Sequence, residues 1–173
     1  MHRTAVIANI EKAFLQIGLN EADRDVTRFL WIKDLNGEVQ KPNLKIYRFK
    51  RVAFGVFSNP FLLAATITHH LKAEEEEERR QGRDLQGDII QDLLNDMYVD
   101  NFISKATDVE GASQIYTTIK NVFARASMNL RDWHLNSEDV EEILNWEGQP
   151  EDDSVKILSL TWKKQEDTMR RHT

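Results

Sequence analysis

The sequence predicts an α+β domain, an antiparallel sheet with helices packed on one face. Three observations carry this. Apolar runs of strand length alternate with stretches of helical periodicity. Two turn signals, Asn36-Gly37 and Asp100-Asn101, sit between apolar runs as hairpin turns do. The resulting order, strand–helix–hairpin–helix–hairpin–helix–strand, fits antiparallel neighbours covered by segregated helices.

The elements follow in order. Thr4 to Ala8 is a short apolar run suited to a buried strand, and it begins almost at Met1. Glu11 to Ile17 reads as helical turns ending near Gly18. The polar stretch Glu21–Asp25 leads into Val26–Ile32, whose β-branched and aromatic residues read as a strand. After Asn36-Gly37 the return strand runs from Leu44 to Val52, with Ile46, Arg48 and Lys50 alternating with Tyr47, Phe49 and Arg51. Asn59 can cap a helix that has Pro60 in its first turn, where no N–H is needed. That helix passes Phe61, Leu62, Ala65 and Leu71 and thins into Glu74–Glu78, a like-charged run expected as a solvated helix end or a flexible insertion. Gly82 and Gly87 mark a following loop.

The stretch Asn95–Ser104 reads as strand, tight turn at Asp100-Asn101, and strand, which lifts a carboxylate beyond the sheet. Thr107-Asp108-Val109-Glu110 has the form of a capping box. Val109, Ala112, Ile115, Ile119 and Val122 or Phe123 then recur at helical spacing, one face toward a core. Ser137 to Leu144 reads as a short helix, Glu147 to Ser154 as a loop, and Val155 to Trp162 as a last strand. Domain 1–162 is thus followed by a charged, loose tail, 163–173.

Composition bounds the function. With 173 residues, 40% of them apolar and 30% charged, the chain is long enough for a real core and reads as globular. Cysteine is absent, which removes disulfides, thiolate zinc sites and cysteine nucleophiles. No apolar run reaches the ~18 residues of a membrane span, and the N-terminus has no secretory pattern. The expected location is intracellular, cytoplasmic or nuclear, with no membrane partner. A net charge of −6 argues mildly against an isolated nucleic-acid binder. Yet Lys33, Lys41, Lys45, Arg48, Lys50 and Arg51 face only Asp34 and Glu38 along their segment, either a phosphate-tracking patch or a solvated hairpin face. The five histidines show no metal-ligand spacing, and His69-His70 reads as a helix surface pair.

Several ordered motifs carry a family resemblance. Asn9–Ile17, Asp23–Trp31, Tyr47–Gly55, Ser58–Leu63, Tyr98-Val99-Asp100-Asn101, Leu130–Trp133 and Ile157–Trp162 resemble, in that order, the palm motifs of a reverse transcriptase. The likeness is to the Pao (BEL-type) family of long-terminal-repeat retrotransposons and runs from about Ala5 to Asp167. It implies a polymerase-palm fold and an RNA-directed DNA polymerase domain of a retrotransposon polyprotein, acting on an RNA or DNA template-primer and dNTPs. Fingers and thumb would be absent from residues 1–162; these and a ribonuclease H segment are expected in the full-length element.

The implied chemistry is two-metal nucleotidyl transfer, with Mg²⁺ or Mn²⁺ ions roughly 4 Å apart held by hard oxygen ligands. The resemblance puts the catalytic positions at Asn9, Asp100 and Asn101, and the metal ligands at Asp100, Asn9 and Ile10. Two of the three catalytic positions carry Asn where the family has Asp, so impaired activity is expected. Glu11 points elsewhere along a helical turn, and Asp96 would sit on the strand ~13 Å from Asp100. Neither replaces the missing acids. Phe14, by itself readable as a core residue, is implied to be the gate that excludes a ribose 2′-hydroxyl. Ile10, Phe54, Gly55 and Arg131 are the other implied nucleotide contacts, Arg131 being readable equally as a surface cation. Lys45, Arg48, Lys50, Arg51 and Tyr98 are the nucleic-acid contacts. The alternative to a polymerase is a non-catalytic remnant or a domesticated interaction domain.

Overall fold

The computed structural model describes residues 4–136, 154–157, 160–163 and 168–171. Strand β1 spans Thr4–Ile10, helix α1 Ala13–Gln16, and strands β2 and β3 Arg28–Ile32 and Leu44–Arg48. Helices α2 and α3 span Asn59–Arg80 and Asp84–Asp96. Strands β4 and β5, Met97–Tyr98 and Asn101–Ala106, lead to helix α4, Val109–Arg125, and strand β6, Leu130–Leu135. Strands β7, β8 and β9 are Ser154–Ile157, Leu160–Lys163 and Thr168–Arg171. The expected helix at 137–144 and all of the expected 147–154 loop except Ser154, which instead opens β7, lie outside the described residues. The chain divides into two compact units, residues 12–63 and the remainder.

In the larger unit β1 is central to an antiparallel sheet of order β4-β5-β1-β6. Strand alternation sends Val6, Ala8 and Ile10 to one face and Ala5, Ile7 and Asn9 to the other. Val6, Ala8, Ile10 and, opposite Ala8, Phe102 are all at most 1% exposed. Helices α3 and α4 run against β1 and β5, and Ala112, Ile119, Val122 and Phe123 form the buried stripe of α4. On the other face Ile7 packs on Trp162 of β8, with Ala5 and Ile103 beside them. The α+β class with an antiparallel sheet holds.

Several local expectations need correction. The segment after Gly82 is a helix: Ile89, Ile90, Leu93 and Leu94 recur at helical spacing, and α3 runs to Asp96. Gly82, at φ +72°, breaks α2, but Gly87 lies inside α3, where an added Cβ would stand 3.0 Å from Arg79 Cγ. Only Met97 and Tyr98 remain for the first hairpin strand. Glu74–Glu78 is no loose end: the helix continues to Arg80 because arginines compensate the run. Glu78, 6% exposed, accepts from Arg83 and, at 3.3 Å, from Arg125, which also donates to Glu74 at 2.6 Å. His70 is likewise no simple surface residue, its Nε2 lying 2.8 Å from the Val122 carbonyl.

The helix α4 cap is Asp108, whose carboxylate accepts from Gly111 N at 2.7 Å, in place of the Thr107–Glu110 box. Asp108→Ala should cost about 1 kcal/mol in chemical denaturation. In place of the single last strand expected there are two, β7 and β8, and the tail contributes β9 against β8. In the smaller unit β2 is shortened because Asn20 caps Ala22 N and Thr27 Oγ1 binds the Arg24 carbonyl, holding Glu21–Thr27 in 3-10 turns. The return strand stops at Arg48, since Lys50–Val52 pairs with Ile17–Leu19 instead. Asn59 opens α2 with its amide donating to the Ala53 carbonyl.

The Glu78 network has a pH signature. The Arg83 hydrogen bond holds the Glu78 carboxyl below its ordinary value, an effect that burial opposes. A depressed folded pKa stabilises above the unfolded value, and the gain is lost as pH falls through the folded one. Glu78→Gln should therefore lose about 1–2 kcal/mol at neutral pH and show a flatter acid limb in urea titrations than the parent.

Candidate functional site

The cross-strand register builds one row from residues distant in sequence. Tyr98 pairs with Asn101, Asn101 with Asn9, and Asn9 with Arg131, a line across all four strands of the central sheet. Asp100 stands at the tip, in the two-residue turn Val99-Asp100. The turn is thus one residue earlier than expected, and Asn101 belongs to β5. Val99 carries φ 57°, a left-handed backbone that a β-branched residue adopts only under strain.

The polar side chains form a short relay. Asn9 Nδ2 donates to Asn101 Oδ1 at 3.4 Å, and Asn101 Nδ2 donates to Asp100 Oδ1 at 3.0 Å. Ile10 N donates to the Asp100 carbonyl at 2.9 Å, which fixes the turn against the end of β1. All three polar residues are half-buried. Asn9 and Ile10 are therefore neighbours of Asp100 and Asn101, with Asn9 and Asn101 92 positions apart in the chain.

Arg131 reaches the row through an irregularity that sequence patterning missed. Ile7 pairs with His134 but Asn9 pairs with Arg131, so β6 holds one extra residue. In an unbulged ladder Asp132 would face Asn9; the bulge, with Asp132 at φ 48°, removes that carboxylate and substitutes a guanidinium. Arg131 is itself compensated: Nη1 donates to Glu11 Oε1 at 2.8 Å, while Asn129 Nδ2 donates to Glu11 Oε2 at 3.0 Å. The Glu11 carboxylate is thus turned to Arg131 and Asn129. Asp96 ends α3 and is not on the strand as expected, and desolvation, then Asp92, raises its pKa.

In the smaller unit Phe14 is half-buried and meets the exposed Phe54 edge-on, centroids 5.2 Å apart at 76°. Gly55 has φ +85°, a conformation that favours glycine. The basic residues divide by partner. Arg48 is bound to Asp25 at 2.8 Å with Glu21 at 3.6 Å, and Arg51 donates to the Gln16 carbonyl at 2.7 Å. Lys45 lies 5.3 Å above the Tyr47 ring, and neither it nor Lys50 has an acidic partner among the described residues. Arg48 and Arg51 thus already have acceptors within the chain, whereas the sequence marked them only as exposed cations.

The donor set decides what the row can hold. A pair of Mg²⁺ ions needs several anionic oxygens to offset its charge. The row offers one carboxylate, one of whose oxygens already accepts from Asn101, and two amides hydrogen-bonded in series. Among the described residues no three His, Asp or Glu side chains converge on one point. These residues do not fit a two-metal centre. They form a polar row of two amides and one carboxylate hydrogen-bonded in series. No helix among the described residues is long and apolar enough to cross a membrane.

What fold and site define is an α+β domain with a polar row at the tip of a hairpin beside the central strand. No family model matches the sequence and no curated protein matches it.

Proposed function

We propose that this chain is the palm of an RNA-directed DNA polymerase from a Pao (BEL-type) retrotransposon polyprotein, with nucleotidyl transfer impaired at its metal positions. The supporting observation is the Tyr98–Asn101–Asn9–Arg131 row with Asp100 at its tip, because it joins one end of the first strand to a hairpin turn as that chemistry requires. Template-primer and dNTPs are the partners of this reading, and Mg²⁺ or Mn²⁺ its cofactor in an ancestor with three acids. A second reading, a non-catalytic remnant or domesticated interaction domain, is favoured by the internal hydrogen bonding of Asn9, Asn101 and Asp100.

Paramagnetic broadening of amide signals by Mn²⁺ separates the two. Little localised broadening at Ile10 and Asp100 is expected in the parent, with strong broadening there in the Asn9→Asp, Asn101→Asp double variant. A correctly folded double variant without localised broadening would refute the palm reading. Broadening at Asp100 in the parent would refute the loss of metal binding and make primer extension the next assay.

A further inference from the structure

The stretch 12–63 keeps little apolar surface inside itself. Among the described residues, fourteen of the sixteen exposed large hydrophobic side chains lie there, the other two being Leu85 and Tyr98. Its buried apolar residues are Ala13, Val52 and Leu63. A single exposed apolar residue is ordinary, but a surface this dense in them marks an interaction site. Its most regular part is one face of the β2–β3 hairpin. On that face Arg28 stands opposite Arg48, Leu30 opposite Ile46 and Ile32 opposite Leu44, three rungs of which two are wholly aliphatic. Leu30 is 61% exposed and Ile46 62%, while Ile32 and Leu44 are half-buried. A two-stranded sheet is marginal in water unless something packs on it.

The charge around this face decides what can cover it. Residues 12–63 carry nine Lys and Arg against five Asp and Glu, a net of +4, so a second copy is repelled wherever that charge is uncompensated. The aliphatic face is compensated. Arg28 is paired with Asp25, and Arg48 with Asp25 at 2.8 Å and Glu21 at 3.6 Å, two cations against two carboxylates. The Asp25 carboxyl is held below its ordinary value chiefly by its hydrogen bond from Arg48, then by that from Arg28, so the pairing persists into mild acid. The opposite face carries Lys45 over Tyr47, and its own image would set lysine near lysine. A two-fold interface lays each patch against itself, which a charged patch resists and a neutral one permits. Pleated aliphatic faces pack on one another about 10 Å apart, as in sandwiches. We infer that a second copy of this chain covers the Leu30–Ile32–Leu44–Ile46 face, two hairpins stacking face to face about a two-fold axis. Three rungs two strands wide cover far less than the ~800 Å² per partner of a standard interface, so the dimer is a weak, exchanging one. The inference rests neither on the Asn9–Asp100 row nor on polymerase activity, so either can fail without the other.

The test is sedimentation equilibrium of the full-length chain up to about 1 mM, with methyl NMR on a mixture of labelled and unlabelled protein. A monomer–dimer equilibrium with a dissociation constant on the order of 100 µM is expected, together with intermolecular contacts between Leu30 and Ile46 methyl groups. Added NaCl should tighten it, because salt screens two chains of like charge. Leu30→Lys should raise the dissociation constant at least about tenfold, since it sets a cation against its own image, and Leu30→Ala severalfold. Trp31→Ala, on the opposite face, should leave it unchanged. Leu30 and Trp31 are both exposed, so these variants keep the monomer fold, which circular dichroism checks. A chain still monomeric at about 1 mM would overturn the inference and leave the face to a different protein. Dimers that survive Leu30→Lys but are lost in Trp31→Ala would overturn it too, placing the contact on the aromatic face. So would species that grow beyond the dimer, the mark of a head-to-tail contact.

Discussion

Replacing Asn9 and Asn101 together with Asp should yield a protein whose stability depends on divalent ions. The two positions are direct cross-strand partners, and Asp100 is bonded to the second, so the variant gathers three carboxylates within hydrogen-bonding reach. Without metal, like charges raise the introduced carboxyls' folded pKa above the unfolded value. Such a shift destabilises above the folded pKa and vanishes below the unfolded one. The variant should therefore fall about 1–3 kcal/mol below the parent at neutral pH and approach it near pH 3. Mg²⁺ or Mn²⁺ at about a hundred times its dissociation constant should restore ~2.7 kcal/mol. Thermal melts across pH and metal concentration read both effects. A variant stabilised by Mg²⁺ no more than by NaCl of equal ionic strength would show that the row lacks the geometry for ion binding.

Phe102→Ala should cost about 3–5 kcal/mol, a large share of the ~5–15 kcal/mol that holds a domain of this kind together. Phe102 is 1% exposed, directly follows Asn101, and stands opposite Ala8, whose small side chain leaves room for the ring. Removing it opens a cavity beneath the strand that carries the polar row, so folding and site are coupled there. Phe102→Leu, which keeps most of the volume, should lose far less. Urea denaturation would show the difference. Equal, small losses in both variants would mean that the core under the hairpin collapses easily and does not support the row.

The sequence by itself determined the α+β class, a buried strand at Thr4–Ala8, the apolar stripe of α4 and the residues able to form a polar site; that the strand is central is a property of the sheet order. Those features follow from local periodicity and residue chemistry, and the strand assignment at Thr4–Ala8 and the stripe from Ala112 to Phe123 rest on nothing else. Local pattern failed where distant partners changed the outcome. Five glutamates in succession look like a repelling, solvated end, but Arg83 and Arg125 arrive from other elements and make Glu78 a buried ion-pair centre. Asp96 looked like a strand residue until α3 claimed it. The tail became β9 only because β8 offered an edge.

The site divides in the same way. Asn9, Asp100 and Asn101 could be named from order and motif, but their contact depends on β1–β5 register, which no local signal fixes. The one-residue bulge in β6 belongs wholly to the tertiary structure. A single extra residue reverses which side chains face the row, so that Arg131 and not Asp132 stands beside Asn9. Residue types set what chemistry is available; pairing register, a property of strands far apart in the chain, decides which of those residues meet.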